Sequence, residues 1–194
     1  MTTFSQIEKI VSHNTVTKLV RLAGQNNTVS RSANKPDRTQ DIRIYGSTDF
    51  KGGSIGVGTA VHEALAASLE GRWVDRSFWP VCKAVRGWLQ EIGVTGMTTE
   101  MPLGAKGDIR GICDAMAQGG PSGRGIIEWK TCRDLPKEVV PSTVHQLGLY
   151  AHLAGKPERT WGAVGFISLT ERRIRIFSWF SLRACANEAV RTAA

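Results

Sequence analysis

The sequence predicts an α/β domain with a central mixed β-sheet and helices on both sides of it. Its 194 residues suit a single domain with one sizeable core. Hydrophobic residues make up 41% of the chain and charged residues 22%, which is typical of a globular protein. The predicted order of elements is helices, three successive strands, a helix, two further strands and a last helix. That order favours one sheet covered by helices.

We predict one domain, residues 1–194, in three parts. Residues 1–55 form an N-terminal helix and a polar loop, 56–180 form the core, and 181–194 form a C-terminal helix. Within the first part, apolar residues at roughly helical spacing predict one or two helices over 4–22. Residues 23–56 are polar and rich in Asn, Ser, Arg and Gly. This composition predicts a long loop or a segment that a partner orders.

Two helices and three strands are predicted next. Apolar positions at helical spacing predict helices over 56–71 and 79–92, the second with Pro80 in its first turn. Three strand-like segments follow and are separated by glycine-rich breakers. These segments cover 96–103, 108–116 and 124–131.

The remaining core predicts a helix and a hairpin before the closing helix. A helix is predicted over 141–153, where Pro141 suits the first turn. Residues 161–169 and 172–180 predict two hairpin strands. In the second of these, arginines partly alternate with isoleucines, which is typical of a strand with one wet face. A helix over 181–193 ends the chain.

The charge balance favours a polyanionic partner without proving one. Lys and Arg number 25 against 17 Asp and Glu, a net charge of +8. Such side chains displace counterions condensed on phosphates, although many basic proteins bind no nucleic acid. In the polar loop, Arg31, Lys35, Arg38 and Arg43 would be able to track a phosphate backbone. A solvated loop explains them equally well.

The cysteines and the hydropathy argue against several classes of protein. The four cysteines are widely spaced and contain no C-x-x-C pair, so neither a zinc site nor an iron–sulfur cluster is expected; they are Cys82, Cys113, Cys132 and Cys185. Buried reduced thiols are the simpler interpretation. The sequence has no apolar run long enough to span a bilayer and no signal-peptide pattern. We therefore expect a cytoplasmic protein without a membrane partner.

Three charged residues on neighbouring predicted strands indicate chemistry. Residues two apart in a strand point to one face, so Glu128 and Lys130 project together while Trp129 points away. Asp114 arrives from the preceding strand. Two carboxylates and an amine at one place are able to hold a divalent cation and position a water molecule. The alternatives are a surface ion pair between Glu128 and Lys130 and a solvent-facing Asp114.

Four short motifs in order resemble those of a known group. They are Gly58-Thr59-Ala60-Val61-His62, Gly111-Ile112-Cys113-Asp114, Glu128-Trp129-Lys130 and Gln146-Leu147-Gly148-Leu149-Tyr150. Together they resemble the PD-(D/E)XK nuclease superfamily, in particular its RecB-type and phage exonuclease branch. The resemblance covers about residues 56–150, roughly half the chain, and implies a restriction-endonuclease-like core. No single motif is specific, whereas the set in order is.

The resemblance implies a metal site for Mg²⁺ or Mn²⁺. Asp114 and Glu128 would be its carboxylate ligands, the backbone carbonyl of Trp129 a further ligand, and His62 a nitrogen ligand or a group that orients water. Glu100, one strand earlier, is a weaker candidate for contact through water. A histidine in an amphipathic helix is also often purely structural.

Further roles follow from the same resemblance. Asp114, Glu128 and Lys130 would be the catalytic residues, with Lys130 orienting the attacking water or stabilising the developing anion. Gln146 and Tyr150 lie four apart on one helical face and would contact the nucleic-acid backbone. Ordinary helix packing is nearly as good an explanation for these last two.

The expected function is that of a Mg²⁺- or Mn²⁺-dependent DNA exonuclease, in phage or mobile-element DNA processing or recombination. One alternative is a structure- or sequence-selective endonuclease of the same fold. Another is a nucleic-acid-binding protein without activity. No G-x-x-x-x-G-K-[ST] motif is present, so a helicase would have to be a separate partner. A single-strand annealing or binding protein is a further possible partner, as is a second copy of this chain.

Overall fold

The computed structural model describes residues 35–46, 54–106 and 109–193, and in these residues a six-stranded sheet is flanked by four helices. The strands are β1 (Arg38–Arg43), β2 (Val94–Lys106), β3 (Ile109–Gly119), β4 (Arg124–Cys132), β5 (Thr160–Ser168) and β6 (Arg173–Trp179). The helices are α1 (Ser54–Leu69), α2 (Trp79–Glu91), α3 (Pro141–Ala154) and α4 (Arg183–Ala193). No helix among these is long and apolar enough to cross a membrane. The helices predicted over 4–22 lie outside the described residues.

The predicted α/β class with a mixed sheet is confirmed. The strand order is β1-β6-β5-β4-β3-β2, with β4 and β5 parallel and all other neighbours antiparallel. Parallel neighbours need a crossover connection, and α3 lies in the segment that joins β4 to β5. The predicted hairpin of β5 and β6 is confirmed, with pairing from Gly162↔Trp179 to Ser168↔Arg173.

Two apolar clusters cover the two faces of the sheet. Side chains of α1 and α2 share one cluster with Ile127, and side chains of α3 and α4 share the other with Ile126. The strand alternation continues beyond this pair, so Trp129 lies on the α1–α2 face. Its ring packs edge-on against that of Trp88, with centroids 6.2 Å apart. Glu128 and Lys130 therefore project toward the α3 face, as the period of two predicts.

The loop predicted over 23–56 is wrong in part, because residues 38–43 form the edge strand β1. This strand pairs with β6 from Arg38↔Ser178 to Arg43↔Arg173. Asp41 accepts hydrogen bonds from the guanidinium of Arg175, at 2.7 Å, and from that of Arg173. Charged side chains and main-chain pairing thus hold β1, and its sequence lacks the apolar alternation by which strands are recognised.

Several predicted ends are also shifted. β2 runs from Val94 to Lys106 and β3 extends to Gly119, so both strands are longer than the segments predicted over 96–103 and 108–116. Helix α1 begins at Ser54, two residues before the predicted start. The connection between β3 and β4 is correspondingly short, at residues 120–123.

Candidate active site

The candidate site lies where β3 and β4 separate. The two strands pair from Gln118↔Arg124 to Ala115↔Ile127, and their pairing ends there. Beyond that point β4 continues to pair with β5 as far as Cys132↔Ser168, whereas β3 continues to pair with β2. Asp114 and Glu128 are the next residues on their strands and stand opposite each other at the opening.

The two carboxylates replace the missing ladder bonds. The backbone N–H of Asp114 donates to Oε1 of Glu128 at 3.3 Å. The backbone N–H of Trp129 donates to Oδ2 of Asp114 at 2.8 Å. Buried N–H groups need partners, and here side-chain oxygens supply them across the gap. Each carboxylate is thereby fixed against the backbone of the opposite strand.

His62 reaches this opening from α1. Its Nδ1 lies 3.5 Å from Oδ1 of Asp114. Burial alone would lower the pKa of His62, but the hydrogen bond and the charge of Asp114 outweigh burial and raise it. The helix approaches β4 closely, since a Cβ atom on Gly58 would lie 2.9 Å from Oγ1 of Thr131. The glycine of the G-x-x-x-H motif therefore has a steric role in placing His62.

A chain of polar contacts joins the same opening to α3. Nζ of Lys130 lies 3.3 Å from Oε2 of Glu128 and donates to Oε1 of Gln146 at 3.1 Å. Nε2 of Gln146 in turn donates to the hydroxyl of Tyr150 at 3.0 Å. The i, i+4 spacing of Gln146 and Tyr150 makes that last contact possible. Lys130 is thus held between a carboxylate and an amide.

Tyr150 is buried, and this limits what it contacts directly. Only 1% of the residue is exposed, and burial first, then the charge of Glu128, raises the pKa of its phenol. Its hydroxyl therefore supports Gln146, which is half-buried. Tyr150 is thus too buried for the predicted direct contact with a nucleic-acid backbone. For Gln146 that contact stays a prediction.

The surroundings shift the pKa values of the two carboxyl groups in opposite directions. Burial, followed by the charge of Asp114, raises the pKa of Glu128 from 4.5 to about 8, even with Lys130 nearby. Burial also works against ionisation of Asp114, but the hydrogen bond and charge of His62 and the charge of Lys130 lower its pKa overall. Asp114 is therefore ionised near neutral pH while Glu128 retains a proton. This is the behaviour of two acids that share one site.

Glu100 lies across the β2–β3 ladder from the site. Thr99 pairs with Ala115 and Met101 pairs with Cys113, which places Glu100 opposite Asp114. Its φ of 49° is in the left-handed region, which non-glycine residues seldom occupy. The carboxylate lies close enough to Cys113 to raise the pKa of that thiol, although burial and Glu128 contribute more. Its predicted contact with a metal through water stays a prediction.

The predicted metal ligands are not gathered around one point in this structure. Over residues 35–46, 54–106 and 109–193, no three His, Cys, Asp or Glu side chains converge in a group that could hold a metal ion. The reason is visible in the contacts, because Asp114 and Glu128 direct oxygens at each other's strands and at His62 and Lys130.

The donor set nevertheless suits a hard cation. Carboxylates are ligands for Mg²⁺ or Mn²⁺, and an added imidazole favours Mn²⁺; a cation would offset the burial and the charge of Asp114 that keep Glu128 protonated. The N–H of Trp129 points to the β3 side. In a strand the C=O of a residue points to the same neighbour as its N–H, so the Trp129 carbonyl also faces the opening.

The basic residues predicted to track a phosphate backbone are not brought to this site. Arg38 lies on β1, which β6 and β5 separate from β4, and its guanidinium is 3.7 Å from a carboxylate oxygen of Glu91. Lys35 is exposed just before that edge strand, and Arg31 lies outside the described residues. Sequence reasoning instead missed a cationic surface on α2 and the turn before it. The signal for that surface was the run of Arg and Trp residues between 72 and 86.

The four cysteines are free thiols, and three of them are buried. Burial first, then the charge of Glu128, raises the pKa of Cys113 to about 12. Cys113 therefore stays protonated beside the site. A protonated thiol is a poor metal ligand, so Cys113 adds nothing to the donor set.

Comparisons with known proteins leave the family open. No family model and no curated protein matches the chain. The crystal structure of SSO0001 matches with a TM-score of 0.43 and 18% sequence identity, over 72% of this chain and 61% of that chain. This chain thus spans less than two thirds of the length of that protein. A likeness at this level carries no argument about function.

Proposed function

We propose that this protein is a Mg²⁺- or Mn²⁺-dependent DNA nuclease, with end-dependent, exonucleolytic cleavage as the expected mode. The observation that carries the proposal is the meeting of Asp114, Glu128 and Lys130 where the β3–β4 ladder opens. Their order and spacing, with His62 before them and Gln146 after, are those of PD-(D/E)XK nucleases. The basic net charge of +8 suits a polyanionic substrate.

The chain's own residues would act as follows. Asp114 and Glu128, with the carbonyl of Trp129, would hold the cation, and His62 would orient Asp114 or complete the ligand set. When bound, the cation would supply Lewis-acid stabilisation of charge on the phosphate and acidify water. Lys130 would place its ammonium beside the water that attacks phosphorus and stabilise negative charge as a point charge.

Gln146 supports this arrangement from α3. It accepts a hydrogen bond from Lys130 and donates one to Tyr150, which fixes the ammonium without neutralising it. A neutral amide is suited to this task, because a second carboxylate at the same place would compete for the charge of Lys130. Gln146 is therefore a positioning residue for Lys130.

Digestion of end-labelled linear DNA, with and without divalent ion, tests the proposal. The wild type is expected to cleave with Mg²⁺ or Mn²⁺ and not with EDTA. Lys130→Ala is expected to reduce the rate by about 10²–10³-fold, as loss of a group that stabilises transition-state charge does. Asp114→Asn is expected to reduce it at least as much while DNA binding persists.

Matched controls and a second substrate make the test decisive. Lys137 and Asp134 are exposed residues just beyond β4, and Lys137→Ala and Asp134→Asn are expected to keep full activity. Resistance of covalently closed circular DNA supports the exonuclease, and its cleavage favours an endonuclease of the same fold. If the protein binds DNA but cleaves no substrate with either metal, it is a non-catalytic binding protein and the proposal is wrong.

A further inference from the structure

A second surface, away from the opened ladder, carries exposed aromatic side chains. A groove of about 860 Å³ lies between the C-terminal end of α1, the turn over 71–76, and α2. Five large hydrophobic side chains are exposed among the described residues, and three of them line this groove: Tyr45 at 76%, Trp73 at 82% and Trp79 at 56%. Clustered exposed aromatic rings are typical of a contact surface.

The groove is also cationic. Arg72, Arg76, Lys83 and Arg86 line it, and none of its described lining residues is an Asp or Glu. Arg86 donates to the backbone carbonyl of Ser68 at 2.9 Å, which leaves its charge uncompensated by that contact. Arg72 is paired with Glu70 at 2.7 Å at the rim. Positive charge between aromatic rings suits a ligand that has both phosphates and flat ring systems.

Local contacts hold the Trp79 ring and the backbone next to Tyr45 in place before any ligand arrives. The indole N–H of Trp79 donates to the carbonyl of Val74 at 3.0 Å. Tyr45 precedes Gly46, where a Cβ would lie 2.8 Å from Pro80, and the side chain of Arg172 donates to the Gly46 carbonyl. This close approach fixes the backbone of Tyr45 against the start of α2. Rings on a fixed backbone lose little entropy on binding.

We propose that this groove binds single-stranded DNA, with bases stacked on Trp73, Trp79 and Tyr45 and phosphates near the surrounding cations. A single strand presents the flat faces of its bases, whereas a duplex hides them in its own stack. Ser68, at the groove, follows His62 by six residues on α1, about 9 Å along the helix axis. The inference rests on the proposed nuclease function, for which the groove would hold one strand near the site.

Binding of fluorescent oligonucleotides in EDTA tests the groove without cleavage. A dT oligonucleotide is expected to bind at least about tenfold more tightly than an abasic oligonucleotide of equal length, since only the first has bases to stack. Trp73→Leu is expected to remove that difference, and Trp73→Phe to keep most of it. Trp73 is 82% exposed, so its replacement leaves the fold intact. Phe180→Leu, at an aromatic residue 55% exposed outside the groove, is the matched control and is expected to bind as the wild type does.

Several outcomes would overturn the inference. They are equal affinity for dT and abasic strands, full dT affinity in Trp73→Leu, tighter binding of blunt duplex than of single strand, and tighter binding of a uridine oligonucleotide than of dT. The test also separates this inference from the nuclease itself. If binding depends on the bases but no cleavage occurs in Mg²⁺ or Mn²⁺, the proposed nuclease function is wrong and the groove inference stands. If cleavage occurs without base-dependent binding, the nuclease function stands and the groove inference is wrong.

Discussion

The β3–β4 pair consists of a hydrogen-bonded, apolar half and an opened half that carries carboxylates, and the two halves are adjacent in sequence. In the paired half, Ala115, Ala117, Ile126 and Ile127 are all fully buried and the ladder is continuous. One residue further along each strand, the ladder stops and carboxylates take over its hydrogen bonds. The paired half contributes apolar burial, and the opened half places two carboxyl groups together in a largely buried setting.

This difference shows how the protein tolerates an unfavourable cluster. The pKa of Glu128 rises to about 8 because burial and Asp114 oppose its charge. A buried carboxyl of this kind keeps its position only where rigid structure surrounds it. On one side that structure is the hydrogen-bonded half of the β3–β4 pair. The other side is held by β5, which stays paired with β4 past Glu128. The opened half is therefore expected to lower stability and the paired half to raise it.

Ile127→Ala tests the stabilising half and has the largest expected effect on folding. Ile127 is fully buried in the cluster under α1 and α2, so truncation leaves a cavity. The free energy of unfolding should fall by about 2–5 kcal/mol, measured by urea denaturation. Val140→Ala, at a side chain 53% exposed, should stay within about 0.5 kcal/mol of the wild type. Equal losses in the two variants would contradict the comparison.

Glu128→Gln tests the destabilising half. It is expected to raise the free energy of unfolding, whereas Ile127→Ala, at the adjacent residue, lowers it. A carboxyl whose pKa rises on folding from 4.5 to about 8 binds its proton more tightly in the folded state, so the metal-free protein loses stability as pH rises through this interval. Gln cannot ionise, and it keeps an acceptor for the Asp114 N–H.

The variant should therefore be more stable than the wild type at pH 8 by on the order of 2–4 kcal/mol, at about 1.36 kcal/mol per pKa unit, and the gain should vanish near pH 4.5. Thermal unfolding at several pH values in EDTA measures this. Glu63→Gln, at an exposed residue of α1, should show no such gain. A pH-independent difference between wild type and Glu128→Gln would mean that Glu128 does not carry the proton.

Cation binding should reveal the same proton directly. If Mg²⁺ binds the ionised form of Glu128, its binding at pH 7 should release most of one proton, because the raised pKa keeps this carboxyl largely protonated there. Titration calorimetry in buffers of different ionisation enthalpy measures the release. It should decline toward pH 9 and be smaller in Glu128→Gln, where His62 is the remaining source of a proton. Heat that does not depend on the buffer at pH 7 would show that Mg²⁺ binds without displacing this proton.

The sequence predicted those features of the site that depend on local periodicity. The period of two placed Glu128 and Lys130 on one face and Trp129 on the other, and the i, i+4 spacing placed Gln146 beside Tyr150. The order of elements predicted the α/β class. These features need no knowledge of which strand pairs with which.

Features that depend on contacts between distant segments were not predicted. The end of the β3–β4 ladder at Ala115↔Ile127 is not marked by a strand-breaking residue, because β3 continues to pair with β2 and β4 with β5 beyond it. The edge strand β1 relies on Asp41, whose partners lie more than 130 residues away. The groove brings Tyr45 together with Trp73 and Trp79, and the packing of Gly46 on Pro80 links these distant segments. Long-range pairing of this kind depends on tertiary contacts across the whole fold, so local sequence propensity does not predict it.

The contact between Gly58 and Thr131 packs α1 on the opened half and gives the smallest expected effect. Gly58→Ala would bring a methyl group to 2.9 Å from Oγ1 of Thr131, so α1 should shift and carry His62 away from Asp114. Cleavage should fall by about tenfold, as small displacements of a positioned group do. Folding stability should hold or rise, since Ala is favoured over Gly in a helix by up to about 1 kcal/mol. Adding Thr131→Ala removes the obstructing oxygen and should restore most of the rate. If the double variant is no faster than Gly58→Ala, or if Gly58→Ala alone cleaves normally, this contact does not set the position of His62.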